Sequence, residues 1–215
     1  MRFRHPFEVV VDRAVHLRVF CWDRVGLRSK VLSTLLYHSG LSYRSVSYAF
    51  LRSFSHEAVR LWCRRLLRAL PKPEARHRSM IAVDESKVKL VGEWVFIWCA
   101  IDVDSKEVLA TRASYTRSSL DALLFIRKAL EACVNKPKVL VDRGPWYPWA
   151  LNELDLEWEH VTFGRRNRVE RWFGYFKARV KAFSKSFPYH SSLSSLRAYT
   201  SSYAGWYNLT ITTNT

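Results

Sequence analysis

Three carboxylates stand apart in a strongly basic chain: Asp84 in Met80-Ile-Ala-Val-Asp-Glu85, Asp142 in Val139-Leu-Val-Asp-Arg143, and Glu170 in Arg165-Arg-Asn-Arg-Val-Glu-Arg-Trp172. Each aspartate closes a short apolar run patterned as a buried strand, whereas the glutamate lies in a basic helical segment. Cleaving or joining a phosphodiester requires an activated water or 3′-hydroxyl and neutralisation of charge on the leaving oxygen. Two divalent ions roughly 3.5–4 Å apart supply both. Magnesium takes hard oxygen ligands and few protein groups, so Asp84, Asp142 and Glu170 are a sufficient set for Mg2+, probed equally well with Mn2+.

Other acidic residues compete for the role. Glu85 is adjacent to Asp84, but strand alternation turns it to the other face. Asp102 and Asp104 sit at a hairpin turn, where aspartate is common for turn reasons alone; Asp102 is the best substitute ligand. Around Glu170, helical geometry puts Arg166 four residues before it and Lys177 seven after it on one face, with Arg168 adding to the charge. Basic groups on either side of a metal-binding carboxylate can hold phosphates. Trp172, Phe173 and Phe176 in the same segment read as core.

The elements that must position these residues follow from pattern. Strands are expected at Met80–Asp84, Glu93–Asp102 and Lys106–Tyr115, with turns at Val91-Gly92 and Asp104-Ser-Lys106, giving a three-stranded meander. A helix through Leu120–Val134, capped by Ser118 or Ser119, leads to a strand at Lys138–Asp142. A short helix near Pro145–Leu154, a strand near Glu157–Thr162 and a long helix from about Arg166 complete the order. This is the order of an α/β ribonuclease H-like fold, a mixed sheet with flanking helices, in which Asp84 and Asp142 converge and the long helix brings Glu170 opposite them.

Ahead of it, apolar residues recur at helical spacing from Ser29 to Leu70, in segments broken at Ser39-Gly40 and Ser53-Phe-Ser55. Three helices are expected: Lys30–His38, Tyr43–Leu51 capped by Ser42, and a third from His56 capped by Ser55. A further helix runs through Val9–Trp22. The third carries Arg60, Arg64, Arg65 and Arg68 beside an apolar stripe, the layout of a small all-α helix-turn-helix unit. A plain bundle with a solvated basic face shares that pattern. Ser55, His56, Glu57 and Arg60 would face base edges, with Arg64 on the DNA as well. Domain bounds follow as 1–70 for this unit, 71–79 for a Pro-containing linker, 80–185 for the catalytic unit and 186–215 for a C-terminal helical extension, with a helix at Leu196–Tyr207.

The 215 residues carry 35 Lys and Arg against 19 Asp and Glu, a net +16 that points to a polyanionic partner. Residues 1–78 hold 16 basic and 5 acidic side chains, so the stronger electrostatic anchor is N-terminal. The longest strongly apolar run, Trp94–Ile101, is far short of the roughly 20 residues needed to cross a bilayer, and Met1-Arg-Phe-Arg-His-Pro6 lacks a signal-peptide core. No membrane role is therefore expected. The four cysteines are widely spaced and suit reduced, mostly buried side chains in a cytosolic protein.

With these residues in view, the chain resembles the DDE transposases of bacterial and archaeal insertion sequences, the family typified by insertion sequence six within the ribonuclease H-like and retroviral integrase superfamily. Leu41-Ser-Tyr-Arg-Ser-Val46 and Ser55-His-Glu-Ala-Val-Arg-Leu-Trp62 look like its helix-turn-helix; Ala82-Val-Asp-Glu-Ser86 and Val141-Asp-Arg-Gly-Pro-Trp-Tyr147 look like its first two acidic motifs. Phe163, Arg166, Glu170 and Lys177 keep the spacing of the third, with Phe where many members have Tyr. The resemblance implies that Asp84, Asp142 and Glu170 bind two Mg2+ ions, that Arg166 and Lys177 contact double-stranded DNA at element ends and target, and that the protein assembles as a homodimer or larger. The 27 residues between Asp142 and Glu170 are fewer than the family pattern has. A non-enzymatic relative that occupies element ends, and a nuclease on the same fold, remain open beside a transposase.

Overall fold

The computed structural model describes residues 5–21, 24–161, 167–181 and 191–212. The chain forms two compact units, one of Met1–Pro71 with Gly205–Thr215 and one of Lys72–Ala204.

The first unit contains α1 (Pro6–His16), α2 (Leu27–Ser39), α3 (Tyr43–Ala49) and α4 (His56–Leu66). Ser42 and Ser55 cap α3 and α4, their hydroxyls accepting from the backbone N–H of Ser45 at 3.0 Å and Ala58 at 3.1 Å. Gly40 ends α2 at φ 138°, a left-handed conformation that glycine adopts without a Cβ penalty. Val10, Val31, Leu66, Trp206 and Leu209 pack a common core. α1 stops well before Trp22, at Leu17, and Arg18 follows with φ 47°.

The second unit is built on a five-stranded sheet of order β3-β2-β1-β4-β5. Its strands are β1 (Met80–Leu90), β2 (Glu93–Asp102), β3 (Val108–Ser114), β4 (Lys138–Val141) and β5 (Trp158–His160). The first three are antiparallel neighbours, and β4 and β5 extend the sheet in parallel from β1. β1 runs six residues beyond the expected end at Asp84. Ser86, Val88 and Leu90 alternate inward at 9%, 6% and 2% exposure and continue the ladder to β2, so the pattern of period two extends past the apolar run.

One face of the sheet packs against α5 (Ser119–Leu130) and α6 (Tyr147–Glu153), joining Ile81, Val83, Val139 and Val141 to Phe125, Ile126 and Leu151. Ser118 starts α5 with a complete capping box, its hydroxyl accepting from Asp121 N–H and the Asp121 carboxylate accepting from Ser118 N–H. α7 (Asn167–Lys181) packs against β1 and β2. Trp172, Phe173 and Phe176 are buried, as a core reading requires, and Trp172 and Phe176 stack at 5.2 Å. α8 (Leu193–Thr212) contributes residues up to Ala204 to this unit and the remainder to the first. It begins earlier and ends later than the expected Leu196–Tyr207.

The Pro-containing segment ahead of β1 is tied to the second unit. The fully buried Arg78 guanidinium bonds Asp102 at 2.7 Å and Glu107 at 2.9 Å, and donates to the carbonyls of Ala132 and Glu74.

Candidate active site

The parallel pairing of β1 with β4 decides how two distant aspartates are related. Met80 pairs with Lys138, Ile81 with Val139 and Ala82 with Leu140, each 58 positions apart, as are Asp84 and Asp142. The ladder ends there; Asp84 lies two residues further along β1, and Asp142 directly past the end of β4. Facing also agrees. Val139 and Val141 turn to the α5–α6 core, so alternation sends Asp142 to the opposite face. Ile81 and Val83 lie on the core side, which sends Asp84 the same way as Asp142. Asp84 is 8% exposed and pairs across β1 with Cys99, whose thiol is pushed up first by burial and then by the Asp84 charge. Asp142 is half-buried just beyond β4, and its Oδ1 accepts from Gly144 N–H at 2.9 Å.

Glu170 lies exposed in the first turn of α7, the helix packed on β1 and β2. Lys177 is exposed on the same helix and Arg168 is half-buried there. Arg166 and Phe163 lie outside the described residues. Among the described residues, no group of three His, Cys, Asp or Glu side chains is gathered closely enough to hold a metal ion. Asp84 in β1 and Asp142 just past its parallel neighbour β4 thus lie on adjacent strands, and the three carboxylates are not gathered at ligation distance. The donor set still suits a hard cation. Magnesium is held in many sites by one or two carboxylates, with water and substrate phosphate completing its shell.

Two sequence expectations about neighbouring acids resolve differently. Glu85 does turn to the other face, toward α6. Asp102 is not placed to substitute as a ligand: it pairs with Ile81 at the start of β1, and its Oδ2 accepts from Arg78 and from Ser105 Oγ, both at 2.7 Å. Its burial raises the carboxyl, but the Ser105 hydroxyl and the Arg78 guanidinium outweigh that and hold it below its ordinary value.

A cluster that the sequence reading passed over surrounds Glu85. Tyr147, the first residue of α6, donates its hydroxyl to Glu85 Oε2 at 2.5 Å, and Arg117 pairs with Oε1 at 3.3 Å. The Glu85 side chain is only 4% exposed. Burial raises its pKa, the Tyr147 hydrogen bond lowers it and the nearby Asp142 charge raises it again. The buried Tyr147 hydroxyl is pushed up by burial and by the charges of Glu85, Asp84 and Asp142, so all three carboxylates lie within electrostatic reach of it. A signal was available: a tyrosine five residues past Asp142, opening a helix, needs a partner for its hydroxyl once buried.

In the first unit, Ser55 serves as the α4 N-cap, and exposed His56 lines a groove of about 430 Å³ with Arg44, Arg52 and Tyr48. Arg60 is bound by Glu57, whose carboxylate oxygens accept from its Nε at 2.8 and 2.9 Å. Arg64 is exposed and lines a second groove with Arg65 and Arg68.

Residues 78–205 match the family described as a DDE domain, of the IS240 type of transposase. The chain is 43% identical over 208 residues to uncharacterized protein MJ0017 of Methanocaldococcus jannaschii, covering 95% of this chain and 97% of that one. Uncharacterized protein aq_aa24 of Aquifex aeolicus is 52% identical over 52 residues, 24% of this chain and 43% of the relative. Among solved structures, the catalytic core of bovine immunodeficiency virus (BIV) integrase is similar at TM-score 0.44 and 15% identity, covering 58% of this chain and 80% of the core. The HTLV-2 integrase catalytic core domain, in complex with magnesium, is similar at TM-score 0.45 and 15% identity, covering 60% and 84%. The family match spans more than half of the chain and includes β1, β4 and α7, the elements that carry Asp84, Asp142 and Glu170. The chain belongs to the family of DDE transposases of the IS240 type.

Proposed function

We propose that this protein cleaves and joins DNA strands at the ends of an insertion element, using Asp84, Asp142 and Glu170 with Mg2+. The observation that supports the reading is that Asp84 lies in β1 and Asp142 just past its parallel neighbour β4, with α7, which bears Glu170, packed on β1 and β2. Bound divalent ions would activate the attacking hydroxyl and neutralise the leaving oxygen. The residues of the chain orient that chemistry. Asp84, held within a paired strand, gives a fixed oxygen donor; Asp142, tied to Gly144 N–H, presents its second oxygen from just past the neighbouring strand. Arg168 and Lys177 supply positive charge along α7, and Arg166, next to its start in sequence, would add to it for the phosphates on either side of the reacting one.

The first unit would hold the element end through α4, with Ser55, His56, Arg60 and Arg64 toward the DNA and the exposed basic groups at His56 and Arg64 on the phosphates. Two ends must be held together for transposition, so a dimer or larger assembly on DNA is part of the reading.

One observation favours a second reading. The glutamate is not gathered with the aspartates among the described residues, as an inactive relative that merely occupies element ends would allow. The deciding assay uses a labelled duplex carrying the repeat that flanks the gene, with wild type and Asp142→Asn in Mg2+ and Mn2+. Cleavage and joining by wild type alone support the enzyme. Equal joining by Asp142→Asn sinks it, and tight binding by both without cleavage leaves the DNA-occupying relative.

A further inference from the structure

β1 and β2 outrun the rest of the sheet. β4 pairs only with Met80–Ala82, and β3 ends opposite Phe96, so beyond the Lys87–Phe96 pair the two strands continue alone as a ribbon to the Val91-Gly92 turn. One face of that ribbon is buried: Val88, Leu90 and Val95 are 6%, 2% and 0% exposed. The register puts Lys87 opposite Phe96 and Lys89 opposite Trp94, all on the other face, and that face is open. Both lysines are exposed, and Trp94 is 48% exposed.

Cations and rings alternate along this face. Lys87 Nζ lies 4.8 Å and Lys89 Nζ 5.3 Å from the Trp94 ring centre, and the Arg117 guanidinium lies 5.0 Å from Phe96 and 3.9 Å from Trp146. The strip thus runs from the hairpin tip to the loop that carries Asp142. Its one inward acid, Glu85, is already paired with Arg117 and Tyr147, and Glu93 pairs with Leu90 on the buried-side row. Phosphate and sugar of a polyanion complement both parts of a half-exposed aromatic set between two lysines.

We propose that this strip, on the face of the sheet opposite Asp84 and Asp142, grips the backbone of a duplex DNA that the enzyme holds, with Lys87 and Lys89 on phosphates and Trp94 against the sugars between them. The inference rests on the DNA-directed reading of Asp84 and Asp142 and adds a second surface to it. The contact carries no base readout, so it suits DNA of any sequence, the target rather than the element end.

The test is the salt dependence of binding to a duplex of arbitrary sequence, using the full chain as wild type, as Lys87→Gln/Lys89→Gln, and as a charge-matched control, Lys106→Gln/Lys136→Gln, altered away from the strip. Each phosphate contact contributes about 0.9 to the slope of log K against log salt, so the first double variant is expected to lose about 1.8 and the control nothing. Equal slopes in all three overturn the proposal, as does an equal loss in both variants. A change in self-association on sedimentation, with the slope intact, overturns it by marking the strip as an interface between copies. Binding needs no chemistry. Wild type that binds but never joins therefore refutes the activity alone, and wild type that joins while slopes stay equal refutes the docking surface alone.

Discussion

Tyr147 donates its hydroxyl to Glu85 across 2.5 Å, linking the residue beside Asp84 to the first residue of the helix that follows Asp142. The bond crosses 62 positions of sequence and joins β1 to the loop after β4. Any relative movement of Asp84 and Asp142 must stretch it, so it fixes the spacing of the pair from the face behind them.

Replacing Tyr147 by Phe keeps the ring in its buried site and removes only the hydroxyl, leaving a buried carboxylate oxygen without its donor. Loss of such a partner costs about 1–3 kcal/mol. Chemical denaturation is expected to show that loss, with a smaller one for Glu85→Gln, whose amide oxygen still accepts from Tyr147.

Glu170 is exposed in the first turn of α7, so Glu170→Gln should leave stability within about 0.5 kcal/mol of wild type. Strand joining should fall by about a hundredfold or more, the scale seen when a group that stabilises transition-state charge is removed. Unchanged joining at unchanged stability would remove Glu170 from the site and return attention to the aspartates alone.

Asp102 gives a pH signature. Its folded pKa lies below its ordinary value of 3.8, so the unfolded chain binds more protons in between, and the contribution to stability is present above 3.8 and lost as pH falls through the folded value. Asp102→Asn should flatten this acid limb. At neutral pH it should also cost about 3 kcal/mol, because the fully buried Arg78 keeps its charge and loses its closest partner. Thermal melts across the acid range read both effects.

Ser118→Ala removes half of the capping box that starts α5, leaving Asp121 N–H without its acceptor. A loss of about 1 kcal/mol is expected by denaturant titration.

The sequence by itself determined the local elements and the chemistry on offer. Serine caps at 42, 55 and 118, the continuous apolar runs of β2 and β4 and the period of α4 depend on near neighbours, which is why these elements fall close to where the pattern places them. The three carboxylate types and their basic surroundings were equally legible. Neighbours cannot decide what a strand meets across a sheet. Only parallel pairing over 58 positions put Asp142 at the end of the strand next to that of Asp84, and only the packing of α6 gave Glu85 to Tyr147. Only the buried Arg78 removed Asp102 from the ligand set, and only the buried face of the ribbon carried β1 on to Leu90. Each of these outcomes depends on burial and long-range hydrogen bonds, whose free energy exists only once the chain has closed on itself.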